Sequence, residues 1–166
     1  GCYGYDIDTN FANLLKEMVK LEGDFMIRVG MMNPEHILKF LPDFVEIFKD
    51  KRFMRFLHIP IQSGSNKILK EMNRKYTLEQ FKELVNALRK DIPDIHIATD
   101  IIIGYPTETE EDFLETKKFL EEMNFEVLNL SKYTARPGTY SKKNLKPLKS
   151  EIVKERSIIF DKFIKK

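Results

Sequence analysis

Four short polar clusters hold the residue types that could do chemistry. Arg28, Gly30 and Asn33 form the first, and His58, Gln62, Ser63 and Ser65 the second. Asp100, Gly104, Tyr105, Pro106 and Glu108 form the third, and Tyr133, Arg136 and Gly138 the fourth. A guanidinium such as Arg28 can clamp a carboxylate. Gln62, Ser63 and Ser65 can bond hydroxyls, and Gly104 lets backbone approach a flat ring. The set suits a polar small ligand that carries a carboxylate, an amine and a ribose. Each residue also has a plainer reading. Arg28 can pair with a neighbouring carboxylate. His58 can be a satisfied histidine in a mostly apolar strand. Ser65-Asn66 can be a helix cap, as can Asn33-Pro34, and Glu108 a first-turn acid on a helix dipole. Asp100 interrupts an apolar run and needs a partner whatever its role, because a lone buried carboxylate is costly. No hydrolase triad, phosphate loop, Rossmann fingerprint or metal-ligand pair is present. His36, His58 and His96 are widely spaced, and Cys2 is the single cysteine.

The clusters follow strand-like segments, and the intervening stretches read as helices. Phe11, Leu14, Leu15, Met18 and Leu21 share one helical face. Phe25–Gly30 reads as a strand. Asn33-Pro34 starts a helix that continues through Phe48, with Pro42 expected to kink or split it. Phe53–Ile61 is the second strand, followed by a polar turn and a short helix carrying Ile68, Leu69 and Met72. Thr77 to Gln80 fits a capping box. Ile95–Ile103 is the third strand, a helix starts at 109–112, and Glu126–Tyr133 is the fourth strand. Arg136–Thr139 is a turn, and Ile152, Ile159, Phe160 and Phe163 mark a last amphipathic helix. Four strands at intervals of about 30 to 40 residues, each followed by helix, predict an α/β fold of about four parallel strands with flanking helices. In such folds sites gather at the carboxyl ends of the strands, where the four clusters lie. Four strands are too few to close a side-chain-filled barrel. The spacing leaves two readings open, a small complete α/β domain or part of a larger barrel that begins past a missing strand.

The 166 residues suffice for one domain with a core, 42% are hydrophobic and 33% charged, and no linker or low-complexity tract divides them. No apolar run reaches the roughly 20 residues of a membrane span, and no signal peptide is visible. One cysteine excludes an intrachain disulfide and an iron–sulfur cluster held by several cysteines of this chain, and a reducing, cytoplasmic home fits. Net charge is +2, unevenly spread: residues 132–166 hold 11 Lys/Arg against 3 Asp/Glu. That end either faces a polyanion or is a lysine-rich solvated helix.

At the strand ends the sequence resembles the radical S-adenosylmethionine methylthiotransferases. The matching words are residues 1–6, Gly-Cys-Tyr-Gly-Tyr-Asp; residues 27–34, Ile-Arg-Val-Gly-Met-Met-Asn-Pro; residues 57–65, from Leu57 to Ser65; Met72-Asn73-Arg74; residues 98–113; and residues 133–139. Order and spacing match along nearly the whole chain, and the Arg-Val-Gly-Met-Met-Asn-Pro run is most similar to the archaeal and eukaryotic branch acting on threonylcarbamoyladenosine in tRNA. The resemblance implies that residues 1–166 are a single domain, the later part of a (β/α)6 barrel of radical SAM type. The first strands and the loop whose Cys-x3-Cys-x2-Cys triplet holds a 4Fe-4S cluster would be lacking. It implies S-adenosylmethionine and iron–sulfur clusters as cofactors of the parent, and tRNA as its partner. A 5′-deoxyadenosyl radical would be used to insert a methylthio group at an adenine C–H. It implies further that Gln62, Ser63 and Ser65 line the ribose and methionine side, that Arg28 holds the carboxylate, and that Asp100, Gly104, Pro106 and Glu108 meet the amine and adenine. Arg136, Lys142, Lys143 and Lys146 would face the RNA, the three lysines from a loop before the last helix. No catalytic residue and no metal ligand is expected in this chain, which alone should be inactive. It should self-associate through the open edge at Phe25–Gly30 and contact no membrane. Thr107 stands where relatives commonly have glycine. Alternatives are a non-catalytic α/β module binding RNA or a nucleotide, and a methylthiotransferase acting on isopentenyladenosine or a ribosomal protein.

Overall fold

The computed structural model describes residues 3, 4 and 6–164; Gly1, Cys2, Tyr5, Lys165 and Lys166 lie outside the described residues. Three parallel strands, β1 (Phe56–His58), β2 (His96–Ile103) and β3 (Val127–Lys132), form one open sheet in the order β1-β2-β3. His58 aligns with Ala98, and Asp100 with Asn129. The expected strand at Phe25–Gly30 reduces to a single parallel bridge between Ile27 and Phe53. Ile27 donates to the Arg52 carbonyl and accepts from Met54, and the chain next touches the sheet at Met32, which donates to the His58 carbonyl. Between those points no ladder forms, so among the described residues three strands stand where the spacing predicts about four.

The helices follow local chemistry. Asn10 caps α1 (Phe11–Met18) by accepting from the Asn13 amide at 3.0 Å. The helix stops before Leu21, which is exposed, because Arg52 takes the carbonyls of Val19 and Leu21 that another turn would use. Asn33 caps α2 (Pro34–Leu38), and the proline that lacks an N–H, Pro42, sits in the first turn of α3 (Leu41–Phe48); the predicted long helix is split there. After β1 come α4 (Asn66–Glu71) and α5 (Leu78–Asp91), the latter opened by the predicted Thr77–Gln80 capping box. A second box, Thr109 with Asp112, opens α6 (Glu110–Met123). Two further helices close the chain, α7 (Tyr140–Asn144) and α8 (Ser150–Ile164). The sequence reading places α7 in a loop; Thr139 caps it by accepting from the Lys142 amide, so Lys142 and Lys143 are helical and only Lys146 lies in a loop.

Strand alternation gives the sheet two chemically different faces. Leu57, Ile97, Thr99, Ile101, Ile103 and Leu128 turn inward and are buried. Phe44, Phe48 and Phe53 stack beside that core at 5.1 and 4.8 Å, and Phe81, Phe119 and Phe125 form a second aromatic group. The opposite face carries His58, Asp100, Ile102, Asn129 and Ser131, none of them buried. The mostly apolar run Ile95–Ile103 hides this two-sidedness, because isoleucine occupies both faces and only His96 and Asp100 mark the polar one.

Candidate functional site

The polar face begins with a bend. The β1–β2 ladder is interrupted after Ile59, whose amide still donates to the Ala98 carbonyl, because the next amide that would face β2, that of Ile61, is taken by a side chain. The fully buried Thr99 hydroxyl replaces the ladder there, accepting from the Ile61 amide at 3.0 Å and donating to the Ile59 carbonyl at 2.9 Å. From the other side the Tyr76 hydroxyl donates to the Ile61 carbonyl at 3.0 Å, and burial pushes that phenol up to about 12. The chain rejoins β2 at Gln62, whose amide donates to Asp100 and whose carbonyl accepts from Ile102. Gln62 pays for this with φ = 79°, a left-handed conformation that non-glycine residues rarely adopt.

Behind the bend Asp100 finds the partners its position demands. His58 Nε2 lies 2.6 Å from Asp100 Oδ1, and the Asn129 side-chain amide donates to the same oxygen at 2.9 Å. His58 is thus a bonded histidine, as the plainer reading has it, but it sits on the polar face beside a cavity of about 610 Å³ lined by Gln62, Arg74, Asp100, Lys132, Tyr133 and Arg136, among others. That volume is within the range of small-ligand sites. Arg74, not singled out by sequence reasoning for any role, is half-buried on this wall, and its Nε is buried without a hydrogen-bond partner. Its only sequence signal is its place in the Met72-Asn73-Arg74 word, where Asn73 turns the chain out of α4 with φ = 58°.

Of the remaining expected site residues, only Arg136 lines this cavity. Arg28 is exposed, its guanidinium 5.7 Å above the Phe56 ring, and does not line the cavity. Ser63 and Ser65 are buried against α6. Ser65 Oγ donates to Asp112 Oδ1 at 2.7 Å, the Gly64 amide donates to Thr116 Oγ1 at 3.0 Å, and Ser63 Oγ is 3.5 Å from the same hydroxyl. Ser65 occupies an N-cap position but makes no capping bond, because Asp112 engages its hydroxyl. Gly104 has φ = 79° and faces Val153 of α8, so a side chain there would collide. Glu108 is buried rather than poised on the α6 dipole: Arg156 Nη1 donates to it at 2.6 Å and the Gly104 amide at 3.1 Å, while burial pushes its carboxyl up against both. Pro106, half-buried, belongs to that same loop. Arg136 lines the cavity, and Lys142, Lys143 and Lys146 are exposed on α7 and the loop after it.

A second polar cleft, of about 580 Å³, runs between α4, α5 and α6. Its groups bond one another, Lys67 to Asp112 at 2.7 Å, Lys82 to Glu122 at 2.6 Å and Asn66 to Glu79 at 3.1 Å, so less of their capacity faces a ligand.

A parallel sheet with its polar groups gathered at the strand ends defines an α/β binding domain, and residues 4–120 match the model of the Radical SAM superfamily; the chain belongs to that superfamily. It is similar to probable threonylcarbamoyladenosine tRNA methylthiotransferases of Pyrococcus horikoshii, 48% identical over 157 residues, and Methanocaldococcus jannaschii, 42% identical over 161 residues. The human threonylcarbamoyladenosine tRNA methylthiotransferase is 43% identical over 159 residues. These alignments cover 95, 97 and 95% of this chain but only 37, 38 and 27% of the relatives. Among solved structures, coproporphyrinogen III oxidase of Escherichia coli, a Radical SAM enzyme, superposes with a TM-score of 0.68 at 21% identity, over 92% of this chain and 36% of that one. The radical S-adenosylmethionine methyltransferase TsrM of Kitasatospora setae gives 0.60 at 19% identity, over 78 and 26%. These likenesses establish the fold.

Proposed function

We propose that the cavity at the strand ends binds S-adenosylmethionine, and that the protein carrying this domain transfers a methylthio group to threonylcarbamoyladenosine in tRNA. The observation that carries the reading is Arg74, a cation that lines the same cavity as the Asp100 carboxylate and whose buried Nε has no hydrogen-bond partner. An unused buried N–H is costly unless a ligand completes it. In this reading Arg74 takes the ligand carboxylate, because Arg28 lies outside the cavity and Arg136 is assigned to the RNA. Asp100, fixed by His58 and Asn129, keeps its second oxygen for ribose hydroxyls or an amine, and Gln62 is held in its strained conformation toward the same space. S-adenosylmethionine would supply a sulfonium cleavable by one electron and a transferable methyl group; the protein binds and orients it and shields it from water.

The residues here do not fit an iron–sulfur cluster. The one cysteine, Cys2, lies outside the described residues, and among those described no group of three His, Cys, Asp or Glu side chains could hold a metal ion. No step is assigned to a cluster in this chain.

The test is saturation-transfer NMR with S-adenosylhomocysteine, a probe that registers weak binding. Arg74→Ala and Asp100→Asn should each weaken binding by roughly tenfold or more, the scale of a hydrogen bond to a charged group, and Arg28→Ala should leave it unchanged. Absence of transfer to the wild-type chain, or equal transfer to all three variants, overturns the reading.

A further inference from the structure

The stretch from Val127 to Ser150 contains no acidic residue and six cations, Lys132, Arg136, Lys142, Lys143, Lys146 and Lys149. All six are exposed, and none joins an ion pair among the described residues. In their midst stands Tyr140, 73% exposed. Its backbone is held on both sides. Thr139 Oγ1 donates to the Arg136 carbonyl at 2.7 Å, Ser141 bonds the Tyr133 hydroxyl, and the Asn144 side chain donates to the Tyr140 carbonyl at 2.9 Å. Thr139 and Ser141, its neighbours in sequence, both line the 610 Å³ cavity. Tyr105, edge-on to Tyr133 at 5.2 Å, has its phenol pushed up chiefly by burial, then by Tyr133, Glu71 and Tyr140, so the Tyr140 hydroxyl stands within electrostatic reach of this group.

We propose that Tyr140 is a stacking platform for an unpaired base of single-stranded RNA at the mouth of the cavity, with the surrounding lysines and Arg136 carrying the phosphates. The chemistry favours RNA over other polyanions. A rigidly based aromatic ring left in water beside a nucleoside-sized cavity gives a base a π-face, and stacking of this kind is tolerant of sequence. The flanking cations supply the sequence-independent phosphate term. This inference rests on the RNA-modifying function proposed above and names a residue that would hold the substrate.

The experiment uses the full chain and an RNA hairpin with one 2-aminopurine in its single-stranded loop. Stacking quenches that base, while anisotropy reports affinity. Tyr140→Ala should bind about tenfold more weakly, the scale of one lost base–aromatic stack, and lose the quench, with the salt dependence unchanged. Tyr140→Phe, which keeps the ring, should retain both. Changing Lys142, Lys143 and Lys146 to Ser should keep the quench but flatten the slope of log K against log salt by about two. A Tyr140→Ala chain that binds and quenches like wild type overturns the stacking role while leaving RNA binding intact. A wild-type chain that binds no RNA, or binds base-free polyphosphate equally well, overturns RNA recognition and the stacking role together. Both failures are separate from loss of S-adenosylhomocysteine binding, which is read by NMR.

Discussion

Asp112 shows how much one side chain organises. Burial alone would push its carboxyl up, but Lys67, the Thr109 amide and hydroxyl, and Ser65 all bond it, and together they hold it down to about 2. A carboxyl that titrates at 3.8 when free and near 2 when folded stabilises the fold above about pH 4, and that stabilisation is lost as pH falls through about 2. The shift corresponds to about 2 kcal/mol, less what water screens at the half-exposed Lys67. Asp112→Asn should therefore lower the urea midpoint at pH 7 and lose less of the remaining stability between pH 4 and 2 than wild type; equal acid sensitivity would show that other carboxylates carry the effect. Gly64 makes a second residue-scale prediction. A methyl there would lie 2.5 Å from Thr116 Cα, which is backbone and cannot move aside, whereas nothing lies within 4 Å at Gly30. Gly64→Ala should cost about 1–3 kcal/mol, the cost of overpacking, and Gly30→Ala should stay within about 0.5 kcal/mol. Equilibrium unfolding of the two variants distinguishes them.

At the scale of the element, α8 is held by one buried cation. Arg156, 5% exposed, bonds the Glu108 carboxylate and carbonyl, reaches Glu110 at 3.1 Å, and lies 5.1 Å above the Phe113 ring. Phe160 packs on Phe113 at 4.9 Å one turn further along. The helix thus clamps the 104–108 loop that follows the strand bearing Asp100. Breaking the pair from one side leaves a buried charge unmatched, so Arg156→Ala should cost about 3–5 kcal/mol. Arg156→Met combined with Glu108→Gln should recover much of that loss. Hydrogen exchange should show the Gly104 amide deprotected in the single variant. A single variant as stable as wild type would mean that α8 is held by its apolar side chains alone.

For the whole molecule, the open side of the sheet matters most. The segment 25–30 is tied to it by a single bridge, and Met26, Met31 and Met54 beside that edge are exposed. Unpaired backbone flanked by apolar side chains invites another chain. Light scattering should show self-association that grows with concentration; a clean monomer at high concentration would rule it out. No helix among the described residues is long and apolar enough to cross a membrane.

Much of this was legible from local chemistry. The capping box at Thr77, the break at Pro42, the parallel βα order and the gathering of polar residues at strand ends all depend on neighbours a few residues apart. So does the need of Asp100 for a partner. What local chemistry cannot contain is which distant group completes a side chain. Arg156 lies 48 residues from Glu108 and Asp112 47 from Ser65, and nothing near either member of a pair announces the other. Tertiary packing therefore turned Ser63, Ser65 and Glu108 inward. It left Arg28 outside the cavity and brought Arg74 to the cavity wall, because burial forces each polar group to find a partner wherever the fold supplies one. The sequence alone determined the order of elements and the fold class they imply; the three-dimensional structure decided which of its polar residues line the cavity and which hold the protein together.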